Sequence, residues 1–148
     1  MKDRKILIFS LIATFILVIV LTGYFIKGIS AVYPSIKTYE FSFNQAELTN
    51  KIKKIDEADE YLNLKFTDTT GSGNDRNYYA DLHLKKDSAS YIFSFFYNEK
   101  NKTHSSINLV GAFDSTHHIG GYVKDEKDMT KLIRIFESNF IERISKFN

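Results

Sequence analysis

Residues 6–26 read ILIFSLIATFILVIVLTGYFI, 21 consecutive positions without a charge. This run constrains the chain more than any other feature. As a helix it spans about 31 Å, close to the roughly 30 Å hydrocarbon thickness of a bilayer. Its hydroxyls, Ser10, Thr14 and Thr22, can bond back to carbonyls one turn earlier, so they do not prevent insertion. Tyr24 lies where an interfacial aromatic belongs. Lys2, Arg4 and Lys5 precede the run against Asp3 alone, and only Lys27 follows closely. The positive-inside rule therefore puts residues 1–5 in the cytoplasm and the bulk of the chain on the far side. A cleaved signal peptide, cut after Ser30, is the competing reading. The apolar run is longer than the usual h-region of about 7–15 residues, which favours an uncleaved anchor. The expected location is the cell membrane, single-pass, with a periplasmic or cell-surface domain.

Residues 27–37 hold the single proline, Pro34, and read as a juxtamembrane linker. Residues 38–148 are long enough for one hydrophobic core. Taking Lys2, Arg4, Lys5 and Lys27 from 20 basic residues leaves 16, and taking Asp3 from 18 acidic ones leaves 17. The remainder is thus nearly neutral, without the basic stripe that phosphate neutralisation requires, and no nucleic-acid partner is expected. Zero cysteines exclude disulfide scaffolds, thiolate metal sites and cysteine nucleophiles. The Lys-, Ile- and Asn-rich composition points to an AT-rich, bacterial genome.

The patterning predicts an α+β fold. Residues 38–43 alternate as a short strand. Asn44 has the character of a helix N-cap, with Glu47 three positions on, and Leu48, Ile52 and Ile55 form one face of a helix running to about Ala58. Four strand-like runs follow at residues 61–67, 77–85, 91–97 and 106–113, with a short fifth at 119–124. Tyr91, Phe93, Phe95 and Tyr97 alternate with Ile92 and Phe96, so the 91–97 strand is apolar on both sides and expected at the centre. Ile107, Leu109 and Phe113 are expected on one face of theirs. The short connections predict an antiparallel meander of four to five strands. Residues 125–147 carry Met129, Leu132, Ile133, Phe136, Phe140, Ile144 and Phe147 at three- and four-residue steps. They predict a C-terminal amphipathic helix packed on one sheet face, with Asp125, Glu126 and Asp128 in its first turn.

No catalytic signature is present. Ser115 and Ser105 lie near histidines, but there is no nucleophile elbow. Glu57, Asp59 and Glu60 read as a solvated helix end. The 71–75 loop lacks the Lys-Ser/Thr of a phosphate loop. No cofactor is expected. Asp114, His117 and His118 form the densest polar cluster and are candidate ligands for a zinc-like ion in a metal-binding or metal-assisted hydrolase domain. Adjacent histidines on an extended strand point apart, so both ligate only if the loop turns. Two helices can cover only one face of the sheet. Tyr61, Tyr79, Ile92, Phe96 and Val110 then line the other, rimmed by Lys65, Asp81, His83 and Lys85, as a surface for a protein partner or a homodimer mate. The leading expectation is a non-catalytic anchored protein that binds a protein partner, of the envelope-assembly or toxin-immunity type. A small-ligand or lipid carrier with a cavity between sheet and helices is the third.

Overall fold

A computed structural model describes residues 34–71, 76–125 and 127–146. All fall in the unit Pro34–Asn148. The apolar run at 6–26 lies outside the described residues. Among those residues no helix is long and apolar enough to cross a membrane.

The domain is α+β, with an antiparallel sheet and a C-terminal helix. In chain order the elements are β1 (Lys37–Phe41), α1 (Gln45–Ala58), β2 (Leu62–Thr70), β3 (Asn77–Lys86), β4 (Ala89–Asn101), β5 (His104–Asp114) and β6 (Ile119–Gly121). α2 (Met129–Phe136), a π-helical turn (Glu137–Ile141) and α3 (Glu142–Lys146) end the fold. The sheet order is β1-β5-β4-β3-β2. β2 to β5 form the expected meander, and β4 sits at its centre. β1 crosses to the far edge, where Lys37 pairs with Leu109 and Phe41 with Ser105. β6 shares that edge further along, pairing Ala112–Asp114 with Ile119–Gly121. Ile36 is already buried, and its N–H bonds the Leu109 carbonyl at 2.7 Å.

Local chemistry explains the connections. Asn44 caps α1 by accepting from the Glu47 N–H at 2.9 Å. Asp87 and Ser88 join β3 to β4 with φ of 51° and 64°. Two successive positive φ values give the twist that a two-residue hairpin needs. Gly120 has φ 99°, and a Cβ there would stand 2.1 Å from the Ala112 carbonyl oxygen.

Alternation places Ala80, Leu82 and Leu84, then Tyr91, Phe93, Phe95 and Tyr97, then Ile107, Leu109 and Ala112 on one face. Leu48, Ile52 and Ile55 of α1 and Met129, Leu132, Phe136, Phe140 and Ile144 of the C-terminal helix join them in one buried cluster. Aromatic rings fill the layer between sheet and helix. Phe136 lies 5.1 Å from Phe93 and 6.0 Å from Phe95, and Phe140 lies 5.5 Å from Phe95 (centroid distances). The concavities at Asp128–Ser138 and around Glu57–Asn63 are open surface depressions.

The C-terminal helix starts later than expected. Asp128 sits at φ 62°, and Met129 is the first helical residue, so Asp125 and Asp128 precede the first turn. Left-handed backbone at Asp128 breaks the helical path on its N-terminal side. The π-helical turn also has a packing reason. Phe136, Phe140 and Ile144 are buried at strict four-residue spacing. On an ideal α-helix such a row drifts by about 40° per step. One wider turn removes much of that drift and keeps the row over the sheet. Arg143 ties this end down through Nη1 to Asp59 Oδ2 at 2.5 Å, and Asp59 Oδ1 accepts from the Tyr61 N–H at 2.9 Å. The Arg143 hydrogen bond, against the opposing effect of burial, holds the Asp59 carboxyl below its ordinary pKa.

Near the β1 edge, Lys37 pairs with Glu137 at 2.5 Å. The Tyr39 hydroxyl is buried with no hydrogen-bond partner among the described residues. Burial, reinforced by the Glu137 charge, raises its pKa far above the usual phenol value.

Candidate functional site

Both helices pack on the face just described, which leaves the opposite face of the sheet free of helix among the described residues. Register fixes what it displays. Lys65 pairs with Asp81, and Asp81 with Ser94. His83 pairs with Ile92, and Tyr79 with Phe96. Lys85 pairs with Ser90 in the same alternation, so seven of the nine residues expected on this surface, Lys65, Tyr79, Asp81, His83, Lys85, Ile92 and Phe96, share one face. Tyr61 stands apart. It precedes β2 at the end of the sheet, 59% exposed, and its carbonyl accepts the Lys85 N–H.

One residue changes sides relative to expectation, because of an irregularity in β5. Ser94 pairs with Gly111 and Phe95 with Leu109, so Val110 is the extra residue of a β-bulge. One added residue inverts the alternation beyond it. Phe113, expected with Ile107 and Leu109 in the core, instead pairs with Ile92 and faces outward. Its ring stands edge-on to Tyr122 at 5.0 Å. Gly111 lies beneath them, and a Cβ there would come within 2.9 Å of the Tyr122 ring. The absence of a side chain at Gly111 is what lets that ring approach the strand so closely.

The face thus carries two half-exposed aromatic pairs. Tyr79 and Phe96 are 5.4 Å apart, and Phe113 and Tyr122 form the second pair, with Ile92 on the row of Phe113. Between and beside them runs polar chemistry. Ser94 Oγ donates to Asp81 Oδ1 at 2.6 Å. A chain of side-chain hydrogen bonds crosses four strands. Thr38 Oγ1 donates to Asn108 Oδ1 at 2.8 Å, and Asn108 Nδ2 to Ser106 Oγ at 3.2 Å. Ser106 Oγ donates to Asn98 Oδ1 at 2.7 Å, and Asn98 Nδ2 to Asn77 Oδ1 at 2.9 Å. Lys100 pairs with Glu40 beyond the ladder and lowers that carboxyl's pKa. Ser106 and Asn108 are buried, and the ladder satisfies them. The alternation in the sequence marks each of these polar residues as outward-facing, but only the register joins them.

The polar cluster after β5 has a different role. Asp114 is 1% exposed and accepts three bonds: from the N–H of Thr116 at 3.0 Å, from the N–H of His117 at 3.1 Å, and from His117 Nδ1 at 2.8 Å. Burial opposes ionisation, yet the His117 ring and the two N–H groups together hold the carboxyl below its ordinary pKa. The carboxylate therefore organises the 115–118 turn, with the Thr116 hydroxyl accepting from the Ser90 N–H. His118 takes φ 56° and is exposed. The structure brings Asp114 and His117 together and does not bring His118 to them as a third ligand. Among the described residues no three His, Cys, Asp or Glu side chains are grouped to hold a metal ion.

No family model, no curated protein and no solved structure matches this chain.

Proposed function

We propose that the chain is a non-catalytic, membrane-anchored binding module. Residues 6–26 hold it in the bilayer with the N-terminus in the cytoplasm, and the α+β domain meets a protein partner on the extracytoplasmic side. Such a module suits an envelope assembly factor or a toxin-neutralising immunity protein. The observation that carries this reading is the sheet face opposite the helices. It combines half-exposed aromatic pairs with satisfied polar groups, the mixture that recurs at the centres of protein–protein interfaces. Enclosed ligand chemistry finds less support, because Phe93, Phe95, Phe136 and Phe140 occupy the space between sheet and helices.

The test places a photo-crosslinking residue at Phe96 in the full chain and a second at Lys53, exposed on α1. Position 96 is expected to capture one discrete protein and position 53 none. Equal labelling from both positions removes the open face as the binding surface. A reporter fused after residue 148 checks the topology, and activity of a cytosol-only reporter refutes the anchor.

A further inference from the structure

Among the described residues β2 is the last strand of the sheet, paired only with β3, so no strand covers its second edge. Outward-pointing N–H groups fall on alternate residues. The first two are already engaged by the end of α1. Leu62 N–H donates to the Asp59 carbonyl at 3.0 Å, and Leu64 N–H to Asp56 Oδ1 at 2.7 Å. The next in the series is Phe66. A bulge between Phe66 and Asp68 then inserts Thr67, and the following outward group is Thr69. Among the described residues its N–H is held only by the carboxylate of its own neighbour, Asp68, at 2.7 Å. Half of this edge is therefore plugged by α1, and half, residues 65–70, is exposed.

The bulge has a second effect. Lys65 lies opposite Asp81 and Asp68 opposite Tyr79, which puts both charges on the open face despite their odd spacing. Phe66 and Thr69, opposite Ala80 and Tyr78, fall on the helix side. Phe66 is 49% exposed although its parity is that of the core.

We propose that this open half-edge pairs antiparallel with the same half-edge of a second copy of the chain, about a two-fold axis, with Phe66 opposite Thr69 of the other copy. In that register the outward N–H and C=O groups of Phe66 and Thr69 are exchanged twice by symmetry. Lys65 comes within the diagonal cross-strand reach of Asp68 of the second copy, also twice. The strand is self-complementary in charge, which selects a second copy over an unrelated peptide. The α1 plug at Leu62 and Leu64 stops any longer overlap, so the contact closes as an isologous pair. The edge shares Lys65 with the face assigned to a partner above, but disulfide yield at position 67 reads the edge contact and capture from position 96 reads the face, so the failure of one is distinguishable from the failure of the other.

The chain contains no cysteine, which makes the test direct. In the full chain expressed in cells, Thr67→Cys lies beside the proposed axis, and Thr103→Cys lies in the exposed β4–β5 turn as reference. Mild oxidation is expected to give about five-fold or more crosslinked dimer from position 67 than from position 103. Adding Lys65→Glu sets two pairs of like charges against each other and should cut the yield about tenfold, and adding Asp68→Lys to that variant should restore it. Equal yields from positions 67 and 103 overturn the proposal. So does a yield indifferent to the charge reversal, or crosslinking of position 67 only to other proteins.

Discussion

The two faces of this sheet are built from alternate residues of the same strands. Along β4, Tyr91, Phe93, Phe95 and Tyr97 point to the helices and are 7% exposed or less, whereas Ile92, Ser94, Phe96 and Asn98, one step over, are all partly exposed. The helix-covered face is uniformly apolar and its rings touch in a continuous layer. The open face alternates rings with hydrogen-bonded polar groups. Burial of apolar area stabilises the first, while the second holds partly wet aromatics that contribute less to folding. On the binding role proposed above, these partly wet rings serve recognition of a partner. Mutations on the two sides of one strand therefore separate folding from binding.

The largest contrast is between neighbours on β4. Phe93→Ala is expected to destabilise the fold by about 3–5 kcal/mol in denaturant titration, because it opens a cavity against Phe136 and Tyr91. Phe96→Ala should cost about 1 kcal/mol or less and yet abolish capture of the partner. If Phe96→Ala unfolds the domain as readily, the contrast between faces fails. Gly120→Ala comes next. It adds a Cβ against a backbone oxygen at a positive φ and is expected to cost about 2–3 kcal/mol, whereas Gly111→Ala meets only movable rings and should cost less. Thermal unfolding of both variants orders them.

Acid sensitivity sharpens the comparison at the rim. Asp114 is ionised in the fold at pH values where its free carboxyl, with an ordinary value of 3.8, starts to protonate. Its stabilising contribution is therefore fully present above that value and is lost as the pH falls through the lowered folded pKa. Asp114→Asn is expected to cost about 1–2 kcal/mol at pH 7 and to flatten the stability profile below pH 4. An unchanged acid limb would mean that other carboxylates carry it. The smallest effect belongs to the Arg143–Asp59 pair, whose side chains are 30% and 24% exposed. Arg143→Met should cost about 1 kcal/mol or less, and the loss should shrink in high salt.

What the linear chain reveals divides along the same physical line. Asn44 with Glu47, the Leu48–Ile52–Ile55 stripe and the row from Met129 to Ile144 are local patterns, and local patterns are legible. So is the side assignment of Tyr79, Asp81, His83, Ile92 and Phe96, because each lies on an uninterrupted stretch of alternation. Phe113 was legible only to a reader who knew that Val110 bulges. That bulge is set by pairing between β4 and β5, which no single strand encodes. The ladder from Thr38 to Asn77 joins residues of four strands, and β1 finds its partner in β5 from beyond α1 and three intervening strands. The Asp114 carboxylate looked like a ligand because its neighbours are histidines. Burial beneath its own turn, invisible in one dimension, made it a cap.

The position of β1 has a kinetic consequence. Lys37 is made 72 residues before Leu109, the residue it pairs with. During synthesis this segment leaves the ribosome with no slot to enter, since the edge it docks on exists only after β5 has emerged and joined β4. Closing so distant a contact is slow relative to hairpin formation. The strand made first thus cannot seat until β5 is in place, and until it does the exposed flank of β5 is the place where a chaperone, or a stray strand, finds its opening.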